Sequence, residues 1–162
     1  MKAVVQRVFD ASVSVGGKMK GRIDNGLLVY LGVAIDDNAC DADWLAEKIV
    51  NLRIFNDCNE KMNVSITDIV NQNNNTVNQQ KTGILAVSQF TLLGDARKGR
   101  RPSWEGAAPP EKARELYLYF IEKMREKLPC ANGEFQAHMK VSYTNDGPVT
   151  ILLDSALPGS GG

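Results

Sequence analysis

The sequence predicts an α+β fold, a mixed sheet or small barrel carrying two main helices. Three observations predict it. Valine-rich and alternating segments open the chain and recur near its end. A nearly continuous apolar run spans Gly26 to Ala34, the length of a buried central strand. Apolar residues switch to helical spacing twice, after Asp41 and after Pro110.

The elements follow in order. Lys2 to Phe9 is rich in Val and reads as a first strand, Ala11 to Val15 alternates small polar and apolar residues, and Gly16-Gly17 marks a tight turn. After the Gly26 to Ala34 strand, Leu45, Ile49 and Leu52 place a helix over Asp41 to Arg53, capped by Asp41 or Asp43. Asn56-Asp57-Cys58-Asn59 is a turn by composition. Residues 70–81, rich in Asn and Gln, hold too little apolar surface to pack and read as a surface loop insertion. Thr82 to Leu93 is strand-like, and Gly94 to Ser103 is a basic loop. Pro109-Pro110 then sets up a helix from Glu111 to Leu128, with Ala113, Leu116, Tyr117, Phe120, Met124 and Leu128 on one stripe. Pro129 stops it. Two strands close the chain, Phe135 to Thr144 and Val149 to Asp154, with Asn145-Asp146-Gly147-Pro148 between them. One domain over 1–155 and a frayed tail over 156–162 are expected.

Composition excludes several function classes. The 162 residues carry 19 basic and 19 acidic side chains, so no whole-molecule field draws the chain to nucleic acid. RNA contact has to use a local patch, and Arg97, Lys98, Arg100 and Arg101 are the candidates, against a merely solvated loop. No apolar run reaches the roughly 18 residues that span a bilayer. Three widely spaced cysteines, Cys40, Cys58 and Cys130, read as reduced thiols of a cytoplasmic protein. No Cys/His cluster has metal-ligand spacing, and no Gly-rich loop opens a helix, so neither metal nor cofactor is expected. His138 is the single imidazole, at a strand-like position and without a triad signature around it, and reads as a bystander.

Two features remain. Ser88-Gln89-Phe90-Thr91 ends a strongly apolar strand. It is either an edge strand with one wet face or a strand end that offers hydroxyls and backbone N–H groups to a ligand. Asn145-Asp146-Gly147-Pro148 has the composition of a hairpin turn, with the added option of a cis Gly-Pro bond.

At these two places the sequence resembles the D-aminoacyl-tRNA deacylase family. Ser88 to Leu92 and Asn145 to Thr150 carry the resemblance. Val5-Gln6-Arg7-Val8, Ala11-Ser12-Val13, Gly26 to Val29, Leu31-Gly32-Val33, Asn51 to Phe55, Lys61-Met62-Asn63 and Gly99 to Ser103 extend it along nearly the whole chain. Each string is short; their order and spacing together are specific.

The resemblance implies a homodimer of β-barrel-like subunits that hydrolyses the ester joining a D-amino acid, or glycine, to the terminal adenosine of tRNA. It implies that Gly147-Pro148 is cis and enters the partner subunit's pocket beside Ser88, Gln89, Phe90 and Thr91. Arg7 would orient that motif and Asn145 support it. Phe135, Ala137 and Met139 resemble a stretch near the terminal adenosine, although Gln136 stands where a small residue is usual. The backbone N–H of Phe90 is the expected oxyanion donor, with Thr91 as a competing nucleophile. The alternative reading is a nucleic-acid-binding relative without activity.

Overall fold

The computed structural model describes residues 1–73 and 81–156. The chain opens with a long hairpin: β1 (Lys2–Val15) turns at Gly16-Gly17 into β2 (Lys18–Gly32). Helix α1 (Ala39–Val50) follows, then a two-stranded ribbon of β3 (Phe55–Asn56) and β4 (Met62–Val64) around the expected 56–59 turn. Helix α2 (Ile66–Asn73) leads to β5 (Thr82–Ser88), a 3-10 turn over Phe90–Leu93, and α3 (Pro110–Lys127). The chain closes with β6 (Cys130–Asn132) and β7 (Met139–Asp154).

The main sheet has five strands in the order β6-β5-β2-β1-β7. β1 pairs antiparallel with β2 and β7, whereas β5 runs parallel to β2 and β6. The sheet is therefore mixed, as expected, but it is not a closed barrel: among the described residues β6 and β7 are its two edges. Parallel neighbours need crossover connections, here α1 to α2 and then α3, and these helices cover one face instead of letting the sheet curl onto itself. A three-residue edge strand such as β6 also offers little to pair with.

Alternation along the strands builds two apolar faces. Ala3, Val5, Leu27, Val29 and Leu31 face the helices, against Leu45 and Ile49 of α1 and Tyr117, Phe120 and Met124 of α3. Val8, Ala11, Val13, Ile23, Leu28 and Val87 form a second cluster on the other face. The inward parity inverts within each long strand. In β1 it inverts beside Asp10 (φ 49°), and in β2 beside Gly26 (φ 135°). The hairpin kinks there as a unit, and only a residue tolerant of positive φ fits the β2 side. Gly26 is also paired with Gly83 of β5, where the two backbones nearly touch.

Several expectations need correction. Asn38, not Asp41 or Asp43, caps α1: its side chain accepts from the Cys40 N–H at 2.9 Å, while Asp41 returns the capping box by accepting from the Asn38 N–H at 2.9 Å. Burial alone would raise the Asp41 carboxyl, but the hydroxyl of Ser155 and the Asn38 backbone hold it below the usual range. Residues 70–73 of the expected Asn-rich loop are the last turn of α2, because Ile66 and Val70 pack that helix into the core. Residues 74–80 and 157–162, the rest of the loop and nearly all of the expected tail, lie outside the described residues. β6 was not anticipated; its three residues are too few to show a period.

Alanine at position 26 would put its Cβ 1.9 Å from the Gly83 carbonyl oxygen in a backbone conformation that L side chains rarely adopt. Gly26→Ala is expected to destabilise the protein by about 3 kcal/mol or more, read as a fall in the urea midpoint with an unchanged slope.

Candidate active site

The first motif sits where β5 leaves the sheet. β5 is flanked by β2 and β6, so Ser88 ends an interior strand and not the edge strand that its composition allowed. The strand stops at Ser88 rather than Leu93. The Gln89 N–H still donates to the Leu31 carbonyl at 2.7 Å, and the chain then coils into the 3-10 turn. Gly32 makes room for this turn, since a Cβ there would meet Leu93 Cδ2 at 2.5 Å and the Gln89 carbonyl oxygen at 2.9 Å. The first i to i+3 bond of the turn runs from the Leu92 N–H to the Gln89 carbonyl at 3.3 Å. The N–H groups of Phe90 and Thr91 precede it, and no side chain caps them. They lie just beyond the carboxyl end of a parallel strand, the usual place for a ligand in such sheets.

A cavity of about 490 Å³ opens at this point. Val87, Ser88, Gln89 and Phe90 form one wall, and Leu31 and Val33 of the β2 end another. Ala107, Ala108, Pro110, Ala113 and Tyr117 line it from the start of α3, and Phe135 to Met139 from the approach to β7. Two sequence-predicted groups, 88–90 and 135, 137 and 139, thus share one pocket. Phe135 to His138 is a turn and not the start of a strand, because Gln136 takes φ 61° and the Ala137 N–H bonds the Glu134 carbonyl at 3.2 Å. A left-handed residue explains why a small side chain is the easier choice at 136. His138 is correspondingly in this turn, exposed at the pocket wall.

The pocket is nearly free of ionisable groups. Among the described residues, His138 is the one imidazole on its wall, and no carboxylate lines it. Sequence reasoning placed Tyr117 only on a helical stripe. Its hydroxyl donates to the Ala86 carbonyl at 3.1 Å, its ring lies 5.8 Å from that of Phe135, and burial pushes its phenol well above the usual range. It therefore acts as a neutral strut under the pocket; a hydroxyl within an otherwise apolar stripe was the available signal. Thr91 does not line the cavity, and its hydroxyl accepts a hydrogen bond from the Gln89 amide.

The second motif is not a hairpin turn. β7 runs past it as one strand, and the register with β1 slips where Gln6 faces Thr150 and Val8 faces Asn145. Residues 146–149 therefore bulge opposite Arg7. The Gly147-Pro148 peptide is cis. Asn145 closes the base of the bulge, its amide donating to the carbonyls of Arg7 and Val149 at 3.0 Å each. The Arg7 guanidinium is buried. Its Nε forms an ion pair with Asp146 Oδ2 at 2.6 Å, outside good hydrogen-bond alignment, and its Nη1 donates to the Ile54 carbonyl at 2.7 Å. The Phe55 ring lies 5.9 Å from the guanidinium carbon. Gly147 and Pro148 themselves are exposed and are not among the residues lining their own chain's pocket.

The basic loop is pinned at its base, where Asp95 and Ser103 exchange backbone hydrogen bonds at 2.9 Å in both directions. Arg97 is consumed there: its guanidinium grips the Asp95 carboxylate, with Nη2 to Oδ2 at 2.6 Å, and holds that carboxyl down to about 2. Lys98, Arg100 and Arg101 are exposed, and none of the ion pairs among the described residues uses them.

Known proteins share this arrangement of chain. The family model for D-Tyr-tRNA(Tyr) deacylase matches residues 4–154. The chain belongs to this family. D-aminoacyl-tRNA deacylase from Kosmotoga olearia is 56% identical over 155 residues, covering 96% of this chain and 97% of the relative. The enzyme of the same name from Koribacter versatilis is also 56% identical, over 156 residues, with the same shares covered. A solved structure described as c-Myc DNA Unwinding Element Binding Protein superposes with a TM-score of 0.83 at 39% identity, over 95% of this chain and 98% of that one. A probable eukaryotic D-amino acid tRNA deacylase, at 16% identity and a TM-score of 0.75 over 94% and 97%, shares the fold.

Removing Arg7 leaves Asp146 without its cation and the bulge without its strut. Arg7→Ala is expected to cost about 2–3 kcal/mol, measured by urea unfolding, and Arg7→Lys to recover only part of it, because an ammonium cannot reach both acceptors as the planar guanidinium does. Full recovery by lysine would show that charge alone holds the bulge.

Proposed function

We propose that this chain hydrolyses the ester between a D-amino acid, or glycine, and the terminal adenosine of tRNA, a carboxylic-ester hydrolase that clears mischarged tRNA from the cytoplasm. The single observation that carries this reading is the pocket at the β5 end. It brings unbonded backbone N–H groups beside an apolar wall, and among the described residues no carboxylate lines it. An aminoacyl ester beside a ribose hydroxyl is already labile, so positioning and oriented donors suffice. Water adds to the ester carbonyl, the Phe90 N–H holds the oxyanion, and the neighbouring ribose hydroxyl relays the water's proton to the leaving ribose oxygen. The products are the free amino acid and tRNA with its terminal hydroxyls restored. Ser88 and Gln89 shape the pocket and hydrogen-bond the substrate, and Phe135, Ala137 and Met139 hold the adenosine.

Selectivity for hand is assigned to the Gly147-Pro148 pair of a second subunit. Its carbonyl oxygens accept from the substrate's α-ammonium and occupy the space an L side chain needs, while glycine escapes exclusion. Support comes from the exposure of this pair and from its separation from its own pocket, so that a homodimer completes each site. Lys98, Arg100 and Arg101 contact tRNA phosphates; Arg97, locked on Asp95, contributes less than its sequence position suggested.

A second reading has one observation in its favour: the 39% identical structure is described as a DNA-binding protein. Retained tRNA binding with no turnover of D-Tyr-tRNA would establish an inactive nucleic-acid-binding relative instead.

Thr91→Ala is expected to keep deacylation of D-Tyr-tRNA within about tenfold, because no base adjoins its hydroxyl and a positioned general base contributes more than that when present. Loss of turnover with folding and tRNA binding intact would make Thr91 the nucleophile. Arg100→Ala is expected to reduce the slope of log affinity against log salt by about 1 for tRNA, equally for every amino acid attached.

A further inference from the structure

Two large aromatic side chains stand exposed at one rim of the pocket. Phe90 keeps 58% and Trp104 40% of their surface open to solvent, and their rings meet edge to face with centroids 5.1 Å apart. Water-exposed aromatics in such a pair need a reason, because each leaves apolar area in contact with water. The pair is also built rather than loose. Gly94 lies against the indole so closely that a Cβ there would meet Trp104 Cζ3 at 2.6 Å. The Trp104 carbonyl accepts from the Ala107 N–H at 2.9 Å, and Ala107 lines the pocket. On the other side, Trp104 adjoins Ser103, the closing residue of the basic loop. The order in space is therefore pocket, Phe90, Trp104, then the loop bearing Lys98, Arg100 and Arg101.

That order matches an unpaired polynucleotide end. Base stacking on aromatic rings with cations along the backbone is how proteins hold single strands without reading sequence. We propose that Phe90 and Trp104 form a stacking platform for the nucleobase that precedes the terminal adenosine, so that the acceptor end leaves the pocket across these rings towards the cationic loop. The inference rests on the hydrolase reading above for the adenosine's place in the pocket. The charge of the neighbouring loop favours a polyanion as the occupant. The platform gives the enzyme grip on any tRNA, because every base has a stacking face.

The test compares two substrates on the full-length protein, leaving Phe90 untouched because its N–H is assigned to the chemistry. With D-Tyr-tRNA, Trp104→Ala is expected to raise KM roughly tenfold at a kcat within about twofold. With the minimal ester D-tyrosyl-adenosine, which has no preceding base, wild type and variant should be equal. Trp104→Phe should restore most of the loss. Independently, the trinucleotide CpCpA should quench the fluorescence of the wild-type protein more than adenosine does, and the excess quenching should vanish in Trp104→Ala, which retains Trp44. This second measurement on the wild type stands even if the variant fails to fold. An equal loss on both substrates, an unchanged KM on tRNA, no excess quenching by CpCpA, or a variant that has lost its dimer would overturn the platform. Wild type that cannot turn over D-Tyr-tRNA at all would instead sink the hydrolase reading, while the quenching experiment would still decide the platform.

Discussion

A guanidinium held out of water at position 7 dictates what several separate segments do. A buried cation has to be paired and hydrogen-bonded, or its burial costs several kcal/mol. Arg7 finds an acceptor in the Ile54 carbonyl after α1, a counter-charge in Asp146 on β7, and a ring for its flat face in Phe55. None of these lies near it in sequence. The β7 register must therefore slip to present Asp146, and the slip itself creates the bulge that exposes Gly147 and Pro148. The position of the motif is thus a consequence of satisfying one buried charge. Asn145 closes the bulge by answering two backbone carbonyls that the slipped ladder leaves open.

The pocket is formed by the opposite part of the sheet on similar logic. β5 runs parallel between two neighbours and is buried on both faces, so its sequence from Gly83 to Val87 carries no polar side chain. Polar character begins at Ser88, where the strand leaves cover. Gly26, Gly32 and Gly83 each mark a place where another backbone or a neighbouring turn comes too close for a side chain. These glycines bring β2, β5 and the 3-10 turn into register, so the pocket's geometry rests on three absent side chains as much as on the residues that line it.

Sequence legibility followed the reach of the interactions involved. The pattern of β1, the turn at Gly16-Gly17 and the α3 stripe were readable because local patterning decides them, whereas of β2 only the apolar part from Gly26 onwards was legible. The barrel expectation failed because closure depends on which strands become edges, and that is set by crossovers between distant segments. Asn145 to Pro148 has the composition of a hairpin turn yet bulges from a continuous strand, since β1 supplies a partner on both sides of it. Gln136 shows the same lesson in miniature, a left-handed residue inside a segment that reads as strand. Within the candidate site, 88–90 and 135–139 were legible as two motifs, but their meeting in one pocket was not. Ala107 and Ala108 were missed because nothing in their local pattern separates a pocket wall from core, and Tyr117 because its one signal, a hydroxyl in an apolar stripe, does not say what it faces.

A pocket without carboxylates places a demand on its partner. The substrate of the proposed reaction carries an α-ammonium, and a cation entering an apolar cavity needs acceptors there. Ser88 and Gln89 offer neutral oxygens on one side only, and His138 is the sole imidazole on the wall. Carbonyl oxygens carried in by another chain would supply the remaining acceptors without introducing a titratable group, and they would be rigid where a carboxylate side chain would swing. Such a partition makes affinity for the ammonium and rejection of the L side chain the same contact. It also explains why the exposed bulge is braced so heavily from behind by Arg7 and Asn145: a steric filter discriminates only as well as its position is fixed.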